Sequence, residues 1–368
     1  MAKAMAVNVG RRLEKLRSLM RDSGLKALLV TSPENRRYYS GFAASDPMLT
    51  ESSGALLILP GGEFLLTDSR YTLAAGQEAP GFEIVTTGPG GLGQALGGLV
   101  GKGAPLGFED NYLSHRLHAS LCRDHGLGLV PCPFDPSAPR EAKDPEEARL
   151  IRMALGITEK AIGLLWEELE PGWTEARAAW FLDRSFRELG AEGPAFETIV
   201  ASGPQAALPH AVPGKRRIRE GEFVVIDCGA RFRGYASDIT RTYLCGQPAR
   251  KWQREVYRTV REAQLMAIAA IAPGVPSREV DQKARGHIAA AGYGELFGHS
   301  LGHGVGLAVH ESPSLNPRNA RTLGEGMVVT VEPGIYLPGQ GGVRLEQLVL
   351  VTAGGARVLN GDRHFYDF

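Results

Sequence analysis

Three apolar, β-branched runs in the C-terminal half of this chain are each interrupted by carboxylates: EFVVIDCGARFRGYASDITRTYLC, MVVTVEPGIYL and GVRLEQLVLVT. Runs of this kind read as buried strands. A carboxylate in a buried strand needs a partner, a proton or a cation. Asp227 ends the VVI run, and Asp238 is expected in a second strand after the turn around Gly234. Glu332 and Glu346 break the other two runs. A local solution puts one aspartate in the turn and the other in solvent, with Arg344 pairing with one of the glutamates. The alternative is that the strands bring carboxylates face to face around a shared charge.

Histidines supply the next constraint. GHSLGHGVGLAVHE, residues 298–311, carries His299, His303 and His310, and HAVP puts His210 in a loop after FETIVASG. The spacing of His299 and His303 is that of a zinc helix, but Ser300 stands where such a motif needs Glu. Gly302, Gly304 and Gly306 also make a helix unfavourable, at roughly 1 kcal/mol each relative to Ala. A phosphate loop would need a lysine that GHGVG lacks. The glycines suit a turn or strand whose backbone approaches something closely. Taken singly, each histidine reads more readily as structural than as functional. Taken together, two Asp, two Glu and one imidazole are too oxygen-rich for a structural zinc site. They match a pair of divalent ions such as Mn²⁺, Co²⁺ or Zn²⁺ bridged by carboxylates, which can share a hydroxide and polarise a carbonyl.

At 368 residues the chain exceeds one ordinary hydrophobic core, and two domains are expected. Proline and charge density in PFDPSAPREAKDPEEA marks a boundary, with domains over 1–140 and 141–368. In the first, residues 11–24 carry Leu13, Leu16, Leu19 and Met20 at helical spacing, with Gly24 as a stop. KALLVTSP reads as a strand, GALLILPGGEFLLTDSR as a hairpin, and 87–105 as a loop with a weak helix, together an α/β domain with a mixed sheet. In the second, helices are expected from DPEEA to 169, over 174–190, 250–271 and 277–291, the last capped by Ser277. Helix, helix, strands thus occurs twice, which hints at duplication.

With 41 basic and 41 acidic residues, the net charge of zero points to neither nucleic acid nor an anionic membrane. No apolar run suits a membrane span, MAKAMAVNVGRRLEKL lacks a signal core, and Cys122, Cys132, Cys228 and Cys245 form no CxxC pair. A cytoplasmic protein is expected.

The segments FETIVASGPQAALPH, VVIDCGARFRGYASDITRTY, GHSLGHGVGLAVHESP and VTVEPGIY…GGVRLE resemble those of the M24 metallopeptidases. RLEKLRSLMRDSGLKALLVTSPENRRYYSGF and FLLTDSRYT resemble the creatinase-type N-terminal domain of the proline-specific branch. The resemblance implies a pita-bread catalytic domain, a pseudo-two-fold antiparallel sheet covered by helices, behind a mixed α/β domain. It implies two metal ions held by Asp227, Asp238, His303, Glu332 and Glu346. Asp238 and Glu346 would bridge, and Glu332 would also be the general base. His210 and His310 would contact substrate and stabilise the tetrahedral intermediate, His299 would line the same pocket, and Arg344 is a further substrate-side candidate. The implied partner is a peptide with proline second, and the implied assembly a homodimer.

Two departures bear on substrate choice. Gln347 stands where the family often has an acid. Ser314 stands where prolidases tend to carry an Arg that clamps a dipeptide's carboxylate. The loss of that clamp favours an Xaa-Pro aminopeptidase over an Xaa-Pro dipeptidase, although Arg318 could substitute. Methionine aminopeptidase fits the long N-terminal domain poorly. A metal-free enzyme or scaffold on the same fold would have lost ligands, and this chain has lost none.

Overall fold

The computed structural model describes residues 2–46, 48, 51–246, 248–362 and 364–367, with backbone alone for residues 2–7. The chain forms two compact units, Met1–Arg140 and Glu141–Phe368.

The first unit runs α1 (Ala2–Asp22), β1 (Leu28–Val30), α2 (Pro33–Ser40), β2 (Ala55–Leu59), β3 (Gly62–Thr67), α3 (Thr72–Glu78), β4 (Glu83–Thr86), α4 (Gly91–Val100), β5 (Pro105–Phe108), α5 (His115–Arg123) and β6 (Gly128–Pro131). Leu13, Leu16 and Met20 bury one stripe of α1. Gly24, at φ +71°, lets the chain turn back so that Leu25 N–H reaches Met20 O, a glycine-stopped helix end. Among the described residues the sheet order is β4-β3-β2-β1-β5-β6, with β2 antiparallel to both neighbours and parallel pairs at either side. The expected hairpin is β2–β3, and Leu29, Leu57, Leu66 and Leu106 centre the core.

The second unit runs α6 (Pro145–Glu168), α7 (Glu175–Glu188), β7 (Gly193–Pro194), β8 (Ile199–Ser202), β9 (Phe223–Cys228), β10 (Ala230–Phe232), β11 (Tyr235–Ala236), β12 (Ile239–Leu244), α8 (Lys251–Ala270), α9 (Ser277–Ala290), β13 (Gly302–Gly304), β14 (Glu311–Leu315), β15 (Val328–Val331), β16 (Gly334–Leu337), β17 (Gly341–Arg344), β18 (Gln347–Thr352) and β19 (Gly355–Val358). Asp144 opens α6 through a capping box with Glu147. Ser277 does not cap α9. Pro276 occupies that position, and the Ser277 hydroxyl donates to Arg321 O instead.

Two helix pairs each precede antiparallel strands, β8-β9-β12 after α6–α7 and β13-β15-β18 after α8–α9. The halves repeat a local pattern before their second helices. Gly172 N–H donates to Ile218 O and Ile218 N–H to Trp173 O. Gly274 N–H likewise donates to Leu323 O, and Leu323 N–H to Val275 O. This is the duplication that the element order hints at, carried by backbone geometry. No helix among the described residues is long and apolar enough to cross a membrane.

Candidate metal centre

Side chains two apart on a strand share a face, and so do residues directly opposite in antiparallel strands. Both rules act here. Asp227 lies in β9 opposite Thr240 of β12, and Asp238 precedes β12 by one residue. Glu332 directly follows β15, and Glu346 sits between β17 and β18. The apolar runs therefore break as strands where the glutamates stand. The amide of buried Gln264 from α8 fixes both breaks, donating to Val331 O at 3.0 Å and to Leu345 O at 2.7 Å.

His303 is the middle residue of β13. Its neighbours are glycine because a Cβ on Gly302 would sit 2.1 Å from Thr330 O, and one on Gly304 2.4 Å from Ser312 O. Thr330 Oγ1 accepts from His303 N–H at 3.0 Å and donates to Glu332 Oε1 at 3.2 Å. His303 Nδ1 faces Gly304 O at 3.1 Å and so carries its proton. Nε2 then turns to Glu332 Oε1 at 3.3 Å and Asp238 Oδ2 at 3.6 Å. Ligand atoms of Asp238, His303 and Glu346 all lie within 4.8 Å of one another.

Four carboxylates meet few cations here. Arg344 is 3% exposed and gives Nη2–H to Asp227 Oδ2 at 2.6 Å rather than pairing with a glutamate. Its other donors reach Thr240 Oγ1, Tyr336 Oη and Pro209 O. Thr240 in turn donates to Glu346 Oε2 at 2.9 Å. Desolvation, then repulsion from neighbouring carboxylates, raises the Asp238 and Glu346 carboxyls well above their ordinary range. Burial raises Glu332 most, but the hydrogen bond from His303 together with the His303, His299 and Arg344 charges outweighs it and lowers the carboxyl. Desolvation lowers His303 most, but its bond and charge attraction to Glu332, its bond to Gly304 O and the Asp227 charge together outweigh it and raise the imidazole. Asp227 Oδ1 and Glu346 Oε1 are buried without any hydrogen-bond donor. Orphaned carboxyl oxygens beside an imidazole nitrogen that faces them are what divalent cations complete, so the residues fit a metal.

The remaining histidines separate. His310 stacks edge-on against His303 at 4.3 Å, and desolvation followed by the His303 charge lowers it. His299 has both nitrogens engaged, Nδ1 with Ser300 O and Nε2 with Tyr336 Oη, each at 2.8 Å, so no ring nitrogen is left for a substrate bond. His210 is exposed on the turn whose Pro209 carbonyl Arg344 holds. Ser314, in β14, anchors the loop that follows the strand, accepting from Asn316 Nδ2 at the hydroxyl and Asn319 Nδ2 at the carbonyl. Thr240, Thr330, Tyr336 and Gln264 also serve the site, outside the set that the sequence motifs mark. The threonines were findable, since each stands two positions from an acidic residue in an apolar run.

The metallopeptidase family M24 model matches residues 149–353, and the creatinase/prolidase N-terminal domain model matches 12–132. The chain belongs to metallopeptidase family M24. An Xaa-Pro dipeptidase of Pyrococcus furiosus is 36% identical over 95% of this chain and 97% of its own. A solved Xaa-Pro dipeptidase from Bacillus anthracis superposes with a TM-score of 0.90 at 36% identity, covering 97% of this chain and 98% of that one. An X-Pro aminopeptidase from Thermotoga maritima gives 0.83 at 35% identity, over 93% and 97%. M24 members are metal-dependent hydrolases with the pita-bread catalytic fold, and this chain carries that fold behind its mixed α/β unit.

Proposed function

We propose that this protein is a dinuclear metal-dependent exopeptidase that hydrolyses the bond between an N-terminal residue and a following proline, with dipeptides as its principal substrates. The grouping of Asp238, His303 and Glu346 ligand atoms within 4.8 Å of one another, with Glu332 beside His303 and orphaned oxygens on Asp227 and Glu346, carries the reading. Full-length likeness to Xaa-Pro dipeptidases supports the dipeptide preference over the aminopeptidase preference drawn from Ser314.

Asp227, Asp238, His303, Glu332 and Glu346 would hold the ions. Bound Mn²⁺, Co²⁺ or Zn²⁺ would supply Lewis acidity toward the scissile carbonyl and a water ionised near neutral pH. Glu332, kept ionised by His303, accepts a proton from the attacking water and returns it to the leaving nitrogen. His310, kept neutral by its burial, offers an N–H to the oxygen on which negative charge grows. His210 meets substrate from the exposed turn. Arg344 and His299 act as positioning residues, Arg344 orienting Asp227 and His299 orienting Tyr336. The four free cysteines suit a reducing cytoplasm, and a homodimer is proposed with it, read by light scattering.

A second reading, aminopeptidase action on longer peptides, is favoured by one observation. Ser314 of β14 is tied to the loop that follows it, and Arg318 lies on an exposed turn, so neither supplies a carboxylate clamp. Turnover of Ala-Pro, Ala-Pro-Ala and a longer Ala-Pro peptide side by side decides. The dipeptide reading predicts the highest kcat/KM for Ala-Pro, and a preference for the tripeptide of tenfold or more overturns it.

A further inference from the structure

Arg241 follows Thr240 in β12, so its side chain leaves the strand on the side opposite the ligand-binding hydroxyl. It is fully buried. Nη1 donates to Thr240 O at 2.9 Å and Glu346 O at 2.5 Å, and Nη2 donates to Gln347 Oε1 at 3.4 Å. Glu346 is thus gripped from two sides, its carboxylate by Thr240 and its main chain by Arg241. All three of those Arg241 acceptors are neutral, and a buried guanidinium needs a counter-charge.

That charge comes from the C-terminal tail. Asp362, buried at 4% side-chain exposure, takes Arg241 in a two-point bond, Nε to Oδ2 at 2.9 Å and Nη2 to Oδ1 at 2.5 Å. The described residues of this segment are held at several points. Leu359 N–H donates to Leu348 O, and Leu348 N–H to Asn360 Oδ1, two residues beyond Glu346. Glu159 of α6 accepts from Gly361 and Asp362 N–H. His364 Nδ1 lies 3.1 Å from Asp362 Oδ2, with its ring against Trp166. Phe365 lies under the guanidinium groups of Arg241 and Arg261.

We infer that this C-terminal strap is a positioning element of the metal centre, in which Asp362 acts through Arg241 to fix Glu346. The inference rests on the metal-centre reading above. Partners lying behind metal ligands typically set affinity by 10- to 100-fold. Because Gln347 is neutral, the counter-charge is imported from the terminus rather than supplied beside the ligand.

The test is calorimetric Mn²⁺ titration of metal-free, full-length protein, with the KM–kcat split on Ala-Pro alongside. Asp362→Asn should weaken Mn²⁺ binding by about 10- to 100-fold and lower kcat more than KM. Gln347→Glu added to Asp362→Asn restores a charge beside Arg241 and should recover most of the affinity. Glu159→Gln loosens the strap without touching Arg241 and should weaken binding by about threefold or more. It carries the test should Asp362→Asn not fold. A merely structural strap would lower the melting temperature of these variants and leave Mn²⁺ affinity unchanged, and that outcome overturns the inference. So does a double variant no better than Asp362→Asn. If the wild-type protein itself binds no Mn²⁺, the metal-centre reading fails first and takes this inference with it.

Discussion

Binding of metal should expel protons from this site, and the number can be worked from its charges. Asp227, Asp238, Glu332 and Glu346 face one guanidinium, Arg344, and one imidazole, His303. Burial first and neighbouring carboxylates second raise the Asp238 and Glu346 carboxyls, which makes those two the acids that would hold protons longest in the metal-free site. Ligands bind deprotonated, so filling the site should release about two protons per chain, and a third where His303 is still charged. Combined affinity for the ions should then rise by about a hundredfold per pH unit across the range where both acids hold their protons. The sign for stability follows from the same shifts. A carboxyl whose folded pKa is raised stabilises the fold below its unfolded value, about 4, and loses that contribution as pH rises through the folded value. Metal-free protein should therefore lose stability toward alkaline pH, and saturating Mn²⁺ should reverse the loss. Titration calorimetry in two buffers of different ionisation enthalpy reads the proton count directly. A release below about half a proton, with pH-independent affinity, would refute the retention of protons by Asp238 and Glu346 in the metal-free site.

Glu332→Ala should cut kcat by about 10²-fold or more with the fold intact by circular dichroism; turnover within tenfold of wild type would show that another group takes the proton. His310→Ala should lower kcat by about 10- to 10³-fold while bound metal, measured by atomic emission, is unchanged; loss of metal instead would move His310 into the ligand set. Gln264→Leu strips the amide from two buried carbonyls and should reduce unfolding free energy by about 2–5 kcal/mol in urea. A change under about 0.5 kcal/mol would mean that Val331 and Leu345 find other donors.

What was legible in the sequence was whatever broke a strong pattern. Asp227, Glu332 and Glu346 stood out because a charge in a β-branched run violates the burial rule, and the helices from 145 and 175 were announced by Asp144 and Thr174. Thr240 and Thr330 broke nothing, because threonine is an ordinary strand residue, and their two-residue spacing from Asp238 and Glu332 was the one local cue that they serve the site. The partner of Arg344 was misjudged for a similar reason. Glutamates were its neighbours along the chain, whereas β9 brings Asp227 to it across 117 positions. Ser277 looked like a helix cap until Pro276 proved to hold that place. Asp362 gave no local signal at all, since its role exists only once the terminus closes over β12 and β18.

The most direct measurement is release of alanine from Ala-Pro and Ala-Pro-Ala by exhaustively chelated protein, before and after graded addition of Mn²⁺. Negligible release without metal is expected, with activity returning as two ions bind per chain. Undiminished hydrolysis by metal-free protein, or no hydrolysis of either peptide at saturating Mn²⁺, would contradict the account.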